Sequence, residues 1–147
     1  MENGLLAAAP FCVLMLPMVA DKPIREVMST KITMVESKTP LQDAIASMAS
    51  ANIGAIIVQE NGQPKGIFTE RDLLKRVVGK GLPLEGVTIG DVMTPKIISV
   101  GPETILKDVV KKMYTMAIRH IVIEENSQVV GIFSIRDVMR QLTLDWA

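Results

Sequence analysis

Aromatic side chains are scarce in this chain: Phe11, Phe68, Phe133, Tyr114 and Trp146 are all it has. That is too few to build the stacking platforms of single-strand nucleic-acid binders. Neither sign of charge is in excess, since 16 Lys and Arg face 16 Asp and Glu, so there is no broad field to hold a polyanion and nucleic acid is not an expected partner. Cys12 is the single cysteine and His120 the single histidine. An internal disulfide is therefore excluded, and neither residue can anchor a His/Cys metal cluster or a conventional triad alone. No Walker lysine loop and no G-x-G-x-x-G occurs either, so an enzyme is the weakest reading. These scarcities point to a cytoplasmic, metal-free, non-catalytic protein. The longest apolar run, Leu5 to Ala20, has no basic residue before it and is interrupted by Pro10 and Pro17. It falls short of the roughly 20 residues of a membrane span, so residues 1–22 are expected to be a packed extension rather than an anchor or signal.

What is abundant is aliphatic. Apolar residues make up 48% of 147 positions, ten of them Met, and the mean hydropathy is +0.32. The core is thus expected to be aliphatic with Met as filler. The apolar surplus points to surface buried between subunits, in a homodimer or larger assembly.

Organisation follows from an internal repeat. Residues 24–76 lie over 89–141 at an offset of 65 without a gap, and 20 of the 53 positions are identical, among them Val27/Val92, Met28/Met93, Gly66/Gly131, Phe68/Phe133, Arg71/Arg136 and Asp72/Asp137. A duplication of this kind makes the pair the folding unit. Gly79, Gly81, Pro83, Gly86 and Gly90 mark a linker, giving a first repeat over 23–78, a linker over 79–88, a second repeat over 89–142 and a tail over 143–147.

Each copy reads alike. A short strand (Ile32 to Val35; Ile97 to Val100) precedes a helix with Thr39 or Thr104 as N-cap, Pro40 in its first turn and Asp43 or Asp108 near its positive end; Gln42 completes a capping box in the first copy. Leu41, Ala44, Ile45 and Met48, and in the second copy Leu106, Val109, Val110, Met113 and Ala117, fall at helical spacing as one buried stripe, with Lys111 and Lys112 outside it. Two β-rich runs, Ala55 to Gln59 and Lys65 to Phe68, flank Asn61-Gly62, a strong hairpin signal; Asn126-Ser127 takes the same place in the second copy. A last helix starts at Thr69 or Ser134, carrying Leu73, Leu74 and Val77 or Val138, Met139 and Leu142.

The order strand, helix, strand, strand, helix, twice over, with V-M-S-T at 27–30, V-M-T-P at 92–95, G-I-F-T-E-R-D at 66–72 and G-I-F-S-I-R-D at 131–137, resembles a tandem pair of cystathionine β-synthase (CBS) domains, the Bateman module. The resemblance covers about residues 24–142. It implies an α+β fold of two in-tandem β-α-β-β-α repeats packed sheet to sheet about a pseudo-two-fold axis, with clefts that bind adenine nucleotides such as AMP, ADP or ATP, and dimerisation into a flat disc. In such a family enzymes keep their chemistry in a separate domain.

In Gly66-x-x-Thr69-x-x-Asp72 and Gly131-x-x-Ser134-x-x-Asp137 a strand runs into a helix start, where free N–H groups and the dipole favour phosphate. A carboxylate one turn on is an acceptor suited to two ribose hydroxyls. Carried over from the family, Thr69 and Ser134 contact phosphate and Asp72 and Asp137 hold ribose. The alternative is that the same spacing is only helix capping, and the two readings are compatible. The copies differ at Arg119-His120, which aligns with Gly54-Ala55; a forked arginine donor suits phosphate. The stronger site is therefore expected to combine Arg119, His120, Ser134, Arg136 and Asp137 with the backbone around Ile32 and Thr33. A weaker one is expected to combine Thr69 and Asp72 with the backbone around Ile97 and Ile98. Arg71 and Arg136 either touch phosphate or make a subunit salt bridge. The functional expectation is an adenine-nucleotide sensor that signals to an unidentified effector protein, the alternative being a ligand-free structural or interaction dimer.

Overall fold

The computed structural model describes residues 19–143. Cys12, Phe11, nearly all of the stretch Leu5 to Ala20, the side chain of Leu142 and the tail with Trp146 lie outside the described residues. The described chain forms two compact units, one made of Lys31–Ile98 and the other of Ser99 onward together with the residues up to Thr30. They do not follow the repeats along the chain, because the first residues of each copy belong with the body of the other copy.

The first unit holds β1 (Met34–Glu36), α1 (Leu41–Ala51), β2 (Ala55–Glu60), β3 (Gln63–Thr69), α2 (Glu70–Asp72) and α3 (Ile89–Val92). Past Asp72, α2 runs on as a π turn over Leu73–Val77 and a 3-10 turn over Val78–Lys80. The sheet order is β1-β2-β3, with β1 parallel and β3 antiparallel to β2. Ala55 to Val58 are all buried, so the central strand is a continuous apolar run covered on both faces. Leu41, Ala44 and Met48 of α1 close on Ile56, Val58 and Phe68. Ile89 and Val92 of α3, which open the second copy, complete that core, and Gly90, expected in the linker, lies inside α3.

The second unit repeats the plan with β4 (Ser99–Val100), α4 (Leu106–Met116), β5 (His120–Glu125), β6 (Gln128–Ser134) and α5 (Ile135–Thr143), its sheet ordered β4-β5-β6. Leu106, Val109, Met113, Ile121, Ile123 and Phe133 are buried at the positions equivalent to the first core, and Ile24 and Val27 stand where Ile89 and Val92 stand in the other unit. Among the described residues, two sheets and five named helices in two repeated units bear out the α+β expectation. Fully burying each such aliphatic or Phe side chain contributes roughly 1.5–3 kcal/mol.

Several local expectations are corrected. The first strands are shorter and start later, so Ile32 and Ile97 precede them. Neither Thr39 nor Thr104 caps its helix. The N-caps are Pro40 and Ile105, no side chain bonds there, and the Gln42 capping box does not form. The orphan N–H groups are met by backbone instead: Leu41 donates to Val87 O at 2.8 Å and Leu106 to Lys22 O at 2.8 Å. A long-range carbonyl has taken the place of a local hydroxyl. Ala117 is not in the buried stripe but is the exposed C-cap of α4 at φ 53, the position held by Asn52 at φ 52 in the first unit. The helix has already ended when the stripe would reach it.

The hairpins form as expected. Asn61 and Gly62 lie at φ 51 and 76, Asn126 and Ser127 at φ 53 and 62, so both connections are two-residue turns with left-handed central residues. Gly66 and Gly131 matter for space: a Cβ on Gly66 would stand 2.5 Å from Thr94 O, and one on Gly131 would collide with Met28 Sδ.

Two stability outcomes follow from these backbone positions. Ala117→Gly is expected to raise the urea-unfolding free energy by about 1 kcal/mol, since a non-glycine residue in the left-handed region carries a penalty of about that size. Gly66→Ala is expected to cost about 1–3 kcal/mol and more than Gly131→Ala, because the first meets a backbone carbonyl and the second the flexible end of Met28. Equal losses in matched urea titrations would contradict the assignment.

Candidate functional site

In the second unit, antiparallel register sets His120, the first residue of β5, opposite Ser134, the last of β6. The chain turns directly from Ser134 into α5, and Ile135 N–H donates to Arg119 O at 3.0 Å. Arg119, His120, Ser134, Arg136 and Asp137 are thereby gathered at one corner. Asp137 Oδ2 accepts from Ser134 N at 2.8 Å and from Ser134 Oγ at 2.9 Å, while Asp137 N–H faces Ser134 Oγ at 3.3 Å. The other carboxylate oxygen, Oδ1, meets Arg140 Nη2 at 3.2 Å. Arg119 and Arg136 are exposed and His120 is half-buried. Ile32 and Thr33, expected to share this site, belong to the other unit, where Thr33 O accepts from Ile57 N–H at 3.0 Å ahead of β1.

The first unit has the same corner without the basic pair. Ala55 stands opposite Thr69, and Glu70 N–H donates to Gly54 O at 3.0 Å. Thr69 and Asp72 form a capping box: Asp72 Oδ2 accepts from Thr69 N at 2.9 Å and from Thr69 Oγ1 at 3.1 Å, and Asp72 N–H donates back to Thr69 Oγ1 at 3.3 Å. Oδ1 accepts from Thr94 Oγ1 at 2.9 Å and pairs with Arg76 Nε at 3.3 Å. Arg76 Nη1 also donates to Met93 O at 3.2 Å. Ile97 and Ile98 are half-buried in the same unit, between Thr94 and β4, and Arg71 is exposed.

Thr94, Arg76 and Arg140 are the participants that sequence reasoning did not place. The signal for Thr94 was present in V-M-T-P. That segment bridges to β3 through Ile67 N–H to Thr94 O at 2.9 Å and Thr94 N–H to Ile67 O at 2.8 Å, which sets the hydroxyl over Asp72. Ser29 of V-M-S-T makes the matching pair of bonds with Ile132, both at 2.9 Å. The arginines were not legible because repeat alignment sets Arg76 against Gln141 and Lys75 against Arg140. The leading segment of the second unit is further tied by Arg25, which pairs with Glu125 at 2.7 Å and Glu103 at 2.9 Å; these partners, Glu125 first, raise the guanidinium pKa.

Residues 24–79 and 89–144 each match the family described as the CBS domain. The chain belongs to the CBS domain family. CBS pairs are regulatory, ligand-binding modules. A mitochondrial CBS domain-containing protein of Arabidopsis thaliana, CBSX3, is 37% identical over 103 residues, covering 67% of this chain and 50% of its own length. The CBS domain-containing protein YhcV of Bacillus subtilis is 31% identical over 116 residues, 78% of this chain and 81% of its own. The chain thus spans only half of the first relative. A conserved uncharacterized protein of Pyrococcus horikoshii superimposes with a TM-score of 0.79 at 33% identity, covering 82% of this chain and 92% of that one. Among the described residues no helix of this CBS protein is long and apolar enough to cross a membrane.

Capping by itself carries a stability outcome. Thr69→Ala and Ser134→Ala each remove a hydroxyl from a helix start and are expected to cost about 1 kcal/mol, read as lowered midpoints in thermal melts followed by circular dichroism.

Proposed function

We propose that this CBS pair is a non-catalytic cytoplasmic sensor of adenine nucleotides (AMP, ADP or ATP) that passes its ligand state to an effector protein. The observation that carries the reading is the corner of the second unit, where His120 is paired opposite Ser134, Arg119 O accepts from Ile135 N–H at the helix start, and Asp137 bonds back to Ser134. A guanidinium, an imidazole and helix-start N–H groups suit a phosphate, and a carboxylate suits a ribose. The equivalent corner of the first unit has Gly54 and Ala55 in place of the basic pair, so its Thr69 and Asp72 form the weaker site. Ligand binding switches the module only as far as two arrangements of the chain differ in affinity.

Homodimerisation is part of this proposal. Leu74 and Val78 of the first unit are each 63% exposed, and Tyr114 and Met139 of the second 88% and 59%. Exposed apolar surface of this kind suits a second copy. The other reading, a ligand-free scaffold, draws on the same exposed side chains and on the fact that both carboxylates already serve as caps.

Calorimetric titration with AMP, ADP and ATP separates the two. The expected result is saturable binding that is lost mainly in Asp137→Ala, that Arg119→Ala weakens by about 10- to 100-fold as a charge-assisted bond is lost, and that Asp72→Ala reduces less. Because Arg119 is exposed, its variant keeps the fold, and circular dichroism controls for the lost cap in Asp137→Ala. Silence with all three nucleotides, in a protein that remains dimeric by light scattering, would transfer the conclusion to the scaffold.

A further inference from the structure

An ionised carboxylate has about four acceptor positions, and Asp72 has all four engaged within its own unit. Two are on Oδ2 from Thr69, and two are on Oδ1 from Thr94 Oγ1 and Arg76 Nε. Its side chain is 13% exposed. A ribose diol cannot be added to such a group; it has to replace something. The Thr69 bonds cap the helix, and Thr94 is pinned by its two backbone bonds to Ile67. Arg76 is a long side chain, 43% exposed, so its departure costs least.

The second unit carries the same device by a different route. Asp137 Oδ1 is met by Arg140 Nη2 from i+3 on a regular α turn, whereas Arg76 reaches Asp72 from i+4 on a π turn. These arginines are not equivalents in the duplication. Two different positions thus deliver one guanidinium to the same oxygen of the same carboxylate, which inheritance from a single ancestral repeat does not explain. The wider winding of the π turn offsets the change of position in the first unit.

We propose that Arg76 and Arg140 are intramolecular competitors of the ligand: each occupies the Asp72 or Asp137 carboxylate in the empty module and leaves it when a ribose binds. This rests on the reading of those carboxylates as ribose acceptors. Affinity is then set by the difference between two ways of satisfying one carboxylate. Arg76 also donates to Met93 O at 3.2 Å, so its departure from Asp72 breaks that bond as well.

Adenosine, which is neutral, isolates the effect from any attraction of arginine for phosphate. In calorimetric titrations Arg140→Gln is expected to bind adenosine about two- to fivefold more tightly than the unaltered chain, the range an exposed ion pair allows, with Arg76→Gln acting likewise at the first unit. Added salt screens the pair, so adenosine binding to the unaltered chain is expected to tighten between low and moderate ionic strength and that gain to vanish in the double variant. Unchanged or weaker adenosine binding in both variants, with Asp137→Asn and Asp72→Asn together still abolishing it, would overturn the competitor while leaving the ribose reading in place. Adenosine binding that survives Asp137→Asn and Asp72→Asn, or adenosine that binds no variant at all, would remove the ribose reading and the competitor with it.

Discussion

Two backbone hydrogen bonds, Leu41 N–H to Val87 O and Leu106 N–H to Lys22 O, carry the organisation of this protein. Each satisfies the first orphan donor of the principal helix in a unit, and in each the acceptor lies in the segment leading into the other repeat. From that contact the chain runs on into a short helical turn whose buried residues, Ile89 and Val92 or Ile24 and Val27, finish the core. It then bridges to the edge strand through Thr94 or Ser29. Neither repeat can close its core with its own contiguous residues, so neither is a folding unit by sequence. The duplication is intelligible as a physical requirement, because each copy supplies what the other lacks.

The same crossing builds the site. Thr94 reaches Asp72 only because V-M-T-P is docked along β3, and Met93 O, which receives Arg76, comes with it. Close docking in turn requires glycine at 66 and 131, where a Cβ would collide with Thr94 O or Met28 Sδ. G-I-F-T-E-R-D and V-M-T-P are therefore two halves of one structural device rather than separate motifs. The glycine admits the segment, the segment brings the hydroxyl, and the Thr or Ser starts the helix that carries the carboxylate.

The two corners share a framework and differ in charge. Both carboxylates spend Oδ2 on the cap and offer Oδ1 to a cation. Only the second unit has basic residues there, His120 paired opposite Ser134 and Arg119 just before it. In both, the cap orients the carboxylate and leaves it at 13% to 15% exposure, where each hydrogen bond it makes counts for more than in open water. The repeats thus share a pre-oriented acid and differ in what surrounds it.

Much of this was legible in the residues themselves. The repeat, the strand and helix order, the hairpins at Asn61-Gly62 and Asn126-Ser127, the buried stripes and the capping at Thr69 and Ser134 all follow from local periodicity and turn chemistry, which act over a few residues and so leave their mark in the sequence. The errors were also local rules, overruled at a distance. Thr39, Thr104 and Gln42 are good capping residues left without that task because a carbonyl from far along the chain arrived first. Ala117 continued the helical period but fell where the helix had already ended in a left-handed residue. The exchange of leading segments, the place of Thr94 over Asp72 and the arrival of Arg76 and Arg140 at equivalent oxygens from inequivalent positions were decided by tertiary structure alone. Long-range pairing selects its partners by shape and unsatisfied hydrogen bonds, neither of which has a period along the chain.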